Sequence, residues 1–367
     1  MPVMRLGVAA ALIGGTLIQG DVGVADGRIA GVGLPGAGTG LAVPGLVDLQ
    51  VNGFAGVDFL AADVDDYARA GRALLETGVV AYQPTLISAE EAELVHALTV
   101  AGRARTEGGR LARILGVHLE GPFLSPRYRG VHSLGALRAP DPGLMLRLLD
   151  AGPVTSVTLA PELPGALDLV DLLVARGILV ACGHSDATAE QAHAAFDRGA
   201  RTVTHIFNAM RPFHHRNPGI VGAALSRDDV VIQMICDGVH LAPETLGMTR
   251  RAARGRLCLV TDSVPAAGLG DGSYHMGAER IELRNGVAYG TEGQLAGGTV
   301  ALMAAVRNLW RLGATIEEAV GTVTATPARL LGRPDLGVLE IGRSADIVIL
   351  DEDLRVTRVL LAGRDEL

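Results

Sequence analysis

Four residues of metal-binding or acid–base type each end a separate apolar run of the sequence. They are Glu120, His184, His205 and Asp262. One carboxylate and two imidazoles make a borderline-hard nitrogen and oxygen set, which suits a catalytic divalent metal with one coordination position left open. The remaining carboxylate suits the general base that such a metal site needs. The pattern therefore indicates a metal-dependent hydrolase.

Each of these residues also has an ordinary structural alternative. Glu120 directly precedes a Gly-Pro dipeptide, so it lies at a strand-to-loop edge and could be a solvated loop acid. His184 or His205 alone could be a hydrogen-bonded core imidazole, and Asp262 could cap a helix. We favour the shared site because all four residues hold equivalent positions at strand ends. In a parallel barrel those ends meet on one face.

Apolar, β-branched runs alternate with helical stretches rich in Ala, Leu and Arg through the middle of the chain. The eight predicted strands are Leu46–Val51, Val79–Leu86, Ile114–Leu119, Val154–Ala160, Ile178–Cys182, Thr202–His205, Val231–Cys236 and Leu257–Thr261. This alternation predicts an α/β fold, a (β/α)₈ TIM-type barrel. An open, doubly wound sheet is the alternative. It would need a glycine-rich phosphate turn after an early strand, which the sequence does not contain.

Both ends of the chain look like β structure. The Asp26-Gly27 dipeptide between two short apolar runs predicts a hairpin, and the C-terminal segment is again strand-like. We therefore predict a small β domain built from residues 1–43 and 335–367, which flanks a barrel of residues 44–334. The glycine-rich segment Gly268–Gly298 contains an Asn-Gly turn and is interpreted as a hairpin excursion at the barrel mouth.

Several cationic and imidazole side chains lie in loops that follow predicted strands. The loop Asn208–Gly219 contains two arginines and two histidines, and we interpret it as an anion clamp with Arg216 as its best candidate. The planar guanidinium of arginine matches a phosphate group in a bidentate way. A solvated basic loop is the alternative. His132 and His240, each in a Gly-Val-His sequence, suit donation to substrate oxygens.

The composition excludes some classes of binding partner and favours one cellular compartment. A net charge of −8 without a basic run argues against nucleic acid, and no apolar run is long enough to span a membrane. The chain contains no lysine, so it has no Schiff-base lysine and no carboxylated lysine that could bridge two metals. Three cysteines without ligand-like spacing favour a reducing compartment, the cytoplasm. The apolar run after Arg5 resembles a signal-peptide core, but we favour a first strand there.

The order of these motifs resembles the amidohydrolase superfamily, and within it the N-acetylglucosamine-6-phosphate deacetylase family. The resemblance covers nearly the whole chain and is carried by Pro44–Asp48, His118–Pro122, Gly183–Ser185, Thr204–Met210, Asp237–His240, Leu259–Asp262 and Gly342–Asp346. It implies a (β/α)₈ barrel with a small β domain from both termini, usually as a homodimer. It also implies hydrolysis of the acetamide of N-acetyl-D-glucosamine 6-phosphate to D-glucosamine 6-phosphate and acetate, in amino sugar catabolism.

The resemblance also implies roles for individual residues. The metal ligands would be Glu120, His184 and His205, the catalytic base and acid Asp262, the contact to the acetamide carbonyl His132, and the further substrate-binding residues Val131, Asn208, Ala209, Arg216, His240, Leu295, Ala296 and Gly297. Where the wider superfamily commonly has His-x-His, this chain has Gln50 and Asn52, and amides are poor substitutes for imidazole ligands. We therefore expect one divalent metal per chain. Zinc is the first expectation, and iron, manganese and cobalt stay open.

Alternatives from the same and from another class stay open. One is a deacetylase for the galactosamine epimer, and another is a different amidohydrolase such as a cyclic-amide hydrolase. The absence of lysine and the Arg216 loop count against the cyclic-amide group. A catalytically silent sugar-phosphate-binding protein would be expected to lack Asp262 or a metal ligand, and neither is missing.

Overall fold

The computed structural model describes residues 3–36 and 38–367, and its centre is a barrel of eight parallel strands. The barrel strands are Leu46–Val51 (β1), Val79–Ile87 (β2), Val117–Glu120 (β3), Val154–Leu159 (β4), Leu179–Cys182 (β5), Thr202–Val203 (β6), Val231–Met234 (β7) and Leu257–Leu259 (β8). Each strand pairs in parallel with the next along the chain. The predicted (β/α)₈ barrel is thereby confirmed.

The first and last strands close the barrel through backbone and side-chain contacts. Val51 and Ser263 form a parallel bridge, and the N–H of Asn52 donates to the Ser263 carbonyl over 2.8 Å. The Thr261 hydroxyl donates to the buried carboxylate of Asp48 over 2.6 Å. Burial raises the pKa of Asp48 to about 7. The closing contacts therefore involve Thr261 and Ser263, the two chain neighbours of Asp262.

Helices cover the outside of the barrel and alternate with its strands. They are Val64–Glu76 (α1), Glu91–Glu107 (α2), Pro142–Ala151 (α3), Ala166–Ala175 (α4), Ala189–Asp197 (α5), Gly219–Leu225 (α6), Pro243–Ala252 (α7), Leu302–Arg311 (α8), Ile316–Gly321 (α9) and Ala325–Leu330 (α10). Capping fixes where several begin: Asp63 accepts the Asp66 N–H at α1, and Thr188 accepts the Gln191 N–H at α5. Among the described residues, no helix is long and apolar enough to cross a membrane.

One predicted strand is divided in the structure. Instead of Ile114–Leu119, two strands pair with β2, namely Arg113–Ile114 and Val117–Glu120. The break falls at Gly116, which has a φ of 125° that side-chain-bearing residues rarely adopt. The second piece reaches one residue further than predicted, so Glu120 is itself the last residue of β3.

The two chain ends together build small β-sheets beside the barrel, as predicted, and most of their strand pairs are antiparallel. Leu41–Pro44 pairs with Ile347–Leu350, which joins N-terminal and C-terminal strands in one six-stranded sheet. The strands outside the barrel are Met4–Arg5, Ala10–Ile13, Thr16–Gln19, Asp21–Ala25, Arg28–Leu34, Leu41–Pro44, Ile347–Leu350, Val356–Leu361 and Arg364–Asp365. The exact boundaries 1–43, 44–334 and 335–367 stay a prediction. Residues 1, 2 and 37 lie outside the described residues.

A three-stranded excursion follows β8, as expected for the glycine-rich segment. Its strands are Gly272–Met276, Glu279–Arg284 and Val287–Tyr289. Asn285 and Gly286 have φ values of 51° and 74°, as the predicted two-residue turn requires. Its buried residues, Met276 and Ile281 among them, form one apolar cluster with Ile87 of β2. This cluster connects the excursion to the end of the barrel where the candidate site lies.

Candidate metal centre and active site

One cavity of about 410 Å³ opens at the C-terminal ends of the barrel strands. Its lining residues are Asn52, Ile87, Glu120, Arg127, Tyr128, Gly130, Val131, His132, His184, His205, Asn208, Ala209, His240, Asp262, Met276, Gln294, Leu295, Ala296 and Gly297. The structure thus brings together every site residue named from the sequence except one. Arg216 is exposed and does not line the cavity.

Three buried side chains converge on one point in this cavity. Oε1 of Glu120 lies 3.2 Å from Nε2 of His184 and 3.0 Å from Nε2 of His205, and the two Nε2 atoms are 3.2 Å apart. Ligand atoms bound at zinc distances around a tetrahedral ion lie roughly 3.3 Å from one another. The donor types and their spacing therefore fit a divalent metal. This Glu/His/His group could hold a metal of the kind typical of amidohydrolases.

The protonation of the two imidazoles determines whether each Nε2 can bind a metal. Nδ1 of His184 donates to the Tyr128 carbonyl over 2.9 Å, so Nε2 presents a lone pair. Burial lowers the pKa of His184 and favours this neutral form. Burial also lowers the pKa of His205, but its hydrogen bond to Glu120 and the negative charges of Glu120 and Asp262 together outweigh burial and raise that pKa to about 9. A metal must therefore displace a proton from His205.

Two amides at the end of the first strand support the acids of the site. Nε2 of Gln50 donates to Oε1 of Glu120 over 2.9 Å, and Nδ2 of Asn52 donates to Oδ1 of Asp262 over 2.8 Å. In the sequence, Gln50 and Asn52 are recognisable only as poor metal ligands, and their role as hydrogen-bond donors to the two acids was not predicted. Their i, i+2 spacing was the available signal, because alternate residues of a strand share a face.

Asp262 has the properties of a group that exchanges protons near neutral pH. Burial, reinforced by the negative charge of Glu120, raises its pKa to about 6. Gly297 approaches it closely: a Cβ on this glycine, whose φ is 89°, would lie 2.6 Å from the Asp262 carbonyl oxygen. The N–H of Gly298 donates to that same oxygen over 2.8 Å. The segment after the excursion therefore holds Asp262 in place.

The residues after three barrel strands share an unusual backbone conformation. His184, His205 and Asp262 have φ values of 47°, 26° and 49°. Positive φ is uncommon for residues other than glycine, and it persists only where surrounding packing enforces it. The predicted strand Thr202–His205 is shorter in the structure and ends at Val203, because the chain turns before His205. These turns direct both imidazoles and the carboxylate into the cavity.

The hydrogen bonds of His132 determine which of its ring nitrogens can donate. The backbone N–H of Ser88 donates to Nδ1 of His132 over 3.2 Å. Because an N–H can only donate, Nδ1 is an acceptor and the neutral ring carries its proton on Nε2. Nε2 lies 3.8 Å from Oε2 of Glu120, beside the convergence point. The Nε2–H of His132 is thus available as a donor inside the cavity, and Ser88 was missed because a backbone donor leaves no sequence signal.

His240 and Asn208 also line the cavity, and hydrogen bonds hold both side chains. Nδ1 of His240 lies 2.7 Å from the Asp237 carboxylate. The side-chain amide of Asn208 donates to the carbonyls of His205 and Ile206, over 3.2 and 3.4 Å. Asn208 therefore braces the turn after β6 with the donors of its side chain.

Two arginines near the cavity differ in their contacts. Arg127, which the sequence analysis did not name, lines the cavity and donates to the Asp186 carboxylate over 3.0 Å. Its side chain is 72% exposed. Arg216 makes no salt bridge with any residue in the described ranges 3–36 and 38–367. Arg127 thus already has a counter-ion, whereas Arg216 has its charge uncommitted.

Comparison with known proteins agrees with the fold and the site. The model of the amidohydrolase family matches residues 41–364. This chain belongs to the amidohydrolase family. A relative from Mus musculus, named N-acetylglucosamine-6-phosphate deacetylase, is 37% identical and covers 99% of this chain and 95% of its own length. N-acetylgalactosamine-6-phosphate deacetylase from Escherichia coli O157:H7 is 36% identical, with 88% and 87% covered.

A solved structure of a family member is also closely similar. It is an Asp-to-Ala variant of N-acetyl-D-glucosamine-6-phosphate deacetylase from Mycobacterium smegmatis, in complex with N-acetyl-D-glucosamine-6-phosphate. The TM-score is 0.95 at 36% sequence identity, and 100% of both chains is covered. The similarity of this amidohydrolase to its relatives therefore includes the terminal sheets as well as the barrel.

Inside the barrel of this amidohydrolase, His118 lies near the metal group without joining it. Its Nε2 is 2.7 Å from the Thr158 hydroxyl and its Nδ1 is 3.2 Å from the Thr85 hydroxyl. Burial lowers the pKa of His118 to about 4, so the ring stays neutral. With both nitrogens bound to threonines, His118 packs beneath the site and supplies no ligand atom.

Proposed function

We propose that this amidohydrolase hydrolyses the acetamide of N-acetyl-D-glucosamine 6-phosphate to D-glucosamine 6-phosphate and acetate. The observation that carries the proposal is the meeting of the Glu120, His184 and His205 atoms within 3.2 Å of one another, in one cavity with Asp262 and His132. Relatives of this chain at 36–37% identity bear the name of that activity or of its galactosamine counterpart.

The catalytic end of the cavity is defined here as Glu120, His132, His184, His205 and Asp262. A divalent metal held by its Glu/His/His group would supply Lewis-acid polarisation and lower the pKa of water. Asp262 takes a proton from the attacking water and returns it to the departing amine. The Nε2–H of His132 donates to the carbonyl oxygen as negative charge develops there.

The phosphate end is defined here as Asn208, Ala209, Arg216 and His240. His240 lines the cavity and is held by Asp237, so its other ring nitrogen is available to a phosphate oxygen. We propose Arg216 as the phosphate cation because its charge is uncommitted and its loop begins at the cavity-lining Asn208. Binding the phosphate there fixes the acetamide near Asp262 and His132.

The proposal includes the metal, the assembly and the compartment. We propose one divalent ion per chain, zinc first, with iron, manganese or cobalt as alternatives. We also propose a homodimer, which light scattering of the purified protein would test. A cytoplasmic location is supported by the three cysteines, which are buried free thiols.

A panel of substrates tests the proposed function. Acetate release is measured with N-acetylglucosamine 6-phosphate, its galactosamine epimer and unphosphorylated N-acetylglucosamine, using metal-loaded protein. The proposal predicts the highest kcat/KM for the first substrate. The epimer is the second candidate, favoured by the E. coli relative at 36% identity. Tight binding of the sugar phosphates without any acetate release would instead support a silent binding protein and overturn the proposal.

A further inference from the structure

The apolar side of the cavity reaches the groups that would bind the acetamide. Ile87 is the last residue of β2, and its Cα pairs with that of Glu120 in the neighbouring strand. The next residue, Ser88, donates its N–H to His132 and its hydroxyl to the Glu120 carbonyl. Ile87 is therefore an apolar residue fixed beside both a metal ligand and the proposed carbonyl donor. This position suits contact with the acyl chain of the substrate.

A second cavity of about 170 Å³ lies directly behind Ile87. Its lining residues are Leu60, Ile87, Ser88, Ala89, Glu90, Glu93, Ser133, Gly135, Ala136, Gly277, Ala278 and Glu279. Within the described residues, Ile87 is the one residue that lines both cavities. Two pairs of adjacent residues are also split between the cavities. His132 and Met276 line the first cavity, whereas the residues that follow them, Ser133 and Gly277, line the second.

The Ile87 side chain forms the partition between the two cavities. Its Cδ1 would lie 3.5 Å from a Cβ built on Gly277, which lines the second cavity. Ile87 is 5% exposed and packs in one apolar cluster with Met276 and Ala296, both of which line the first cavity. Ile87 is therefore the side chain whose truncation would enlarge the first cavity toward the second.

We propose that Ile87 is the acyl-length determinant of this enzyme, and that the second cavity is a latent subsite for a longer linear acyl chain. The inference rests on the proposed deacetylase function. The chemistry is unchanged: water adds to the carbonyl, the C–N bond breaks, the amine takes the proton and the acyl group leaves as a carboxylate. Glu90 and Glu93 near the second cavity favour a neutral alkyl chain over one that ends in a carboxylate.

The test compares N-acetyl-, N-propionyl- and N-butyrylglucosamine 6-phosphate as substrates. Wild-type protein should prefer acetyl over butyryl by about a hundredfold or more, because a closed pocket discriminates by roughly tenfold or more for each added methylene and butyryl has two more than acetyl. Ile87→Ala should raise the butyryl-to-acetyl ratio of kcat/KM by roughly tenfold or more, and Ile87→Val should give a smaller rise in the same direction. A gain on the longer substrate is not a result that loss of folding can produce.

Ile281→Ala is the matched control. Ile281 is fully buried in the same apolar cluster but lines neither cavity, so its truncation should leave the acyl ratio unchanged. The inference is overturned if the Ile87 variants keep the wild-type ratio, if Ile281→Ala shifts the ratio equally, or if the wild type already accepts the butyryl substrate as well as acetyl. Failure of the wild type on every acyl substrate would instead overturn the proposed function.

Discussion

The catalytic end and the phosphate end of the same cavity are built in different ways. At the catalytic end, every named side chain is buried and contacts another group of the site or a backbone atom that fixes it. At the phosphate end, the groups lie on loops, and Arg216 is exposed and away from the cavity. One end is preorganised in the free chain, whereas the cation proposed for the other end lies outside the cavity lining.

Because the two ends are built differently, we expect substitutions at one end to affect the chemical step and substitutions at the other to affect substrate binding. Buried donors and acceptors aimed at the reacting amide act on the chemical step, since they cost no reorganisation when charge develops. A cation on an exposed loop contributes binding that orients the substrate. Changes at the catalytic end should therefore reduce kcat, and changes at the phosphate end should depend on whether the substrate carries a phosphate.

The largest effect is expected for the proton-transfer group. Asp262→Asn keeps the shape of the side chain but cannot accept a proton from water. Turnover should fall by about 10²–10⁴, or further because one carboxylate serves both proton transfers. Metal content and substrate binding should persist, because the metal ligands and the phosphate end are unchanged. Loss of the metal in this variant would make Asp262 chiefly a ligand, and near-normal turnover with metal bound would place the base elsewhere.

A somewhat smaller loss is expected for the carbonyl donor. His132→Ala should lower kcat by about 10²–10³ with metal retained, the usual result of removing one oxyanion donor. Ser88→Ala is the matched control, because the backbone N–H that donates to Nδ1 of His132 remains in place. Its turnover should stay within a few-fold of wild type. Equal losses in both variants would mean that the Ser88 hydroxyl, rather than its backbone, orients the ring.

At the phosphate end, two arginine variants test which cation binds the phosphate. Arg216→Ala should mainly impair the phosphorylated substrate, with a loss of about 1.5–3 kcal/mol for a charge-assisted pair. Arg127→Ala serves as the partner variant, since Arg127 lines the cavity but is already paired with Asp186. Its effect should be smaller and should not depend on phosphate. If the two results are exchanged, Arg127 binds the phosphate; an equal loss on both substrates for Arg216→Ala would remove its assigned role.

The smallest effect concerns pH and metal affinity. Without metal, the hydrogen bond to Glu120 and the negative charges of Glu120 and Asp262 together outweigh burial and raise the pKa of His205 to about 9, so this imidazole is protonated at neutral pH. The metal binds only the neutral ring of His205. The affinity of the protein for the metal should therefore increase about tenfold with each unit of rising pH up to the pKa of His205, and should stay constant above it. Titration of the metal-free protein between neutral and mildly alkaline pH measures the slope. A flat profile would show that no proton leaves His205 on binding.

The strand-end residues could be predicted from the sequence, and the physical reason is clear. Glu120, His184, His205 and Asp262 follow apolar runs whose period and length determine where barrel strands end. Parallel packing then brings those ends to one face. The divided strand before Glu120 did not affect this result, because the ligand position depends on where the strand ends and not on where it begins.

Other parts of the site had no comparable signal. Tyr128 acts through its backbone carbonyl, and Ser88 acts through its backbone N–H and its hydroxyl, but no sequence motif connects either residue with the site. Ile87 reads as one more apolar strand residue. Arg216 was named from loop composition, but loop composition does not determine where a loop places its side chains. The sequence therefore predicts the positions of side chains on strands better than those of side chains on loops. Arg127 was identified only from the structure.

The central claim is that one metal held by Glu120, His184 and His205 serves deacetylation at the catalytic end. It is tested most directly by measuring metal content and acetate release from N-acetylglucosamine 6-phosphate on the same sample, before and after chelation. We predict close to one tightly bound divalent ion per chain, activity lost on its removal and restored by zinc. Full turnover by metal-free protein would contradict this account, as would two tight ions per chain with Gln50 or Asn52 among their ligands.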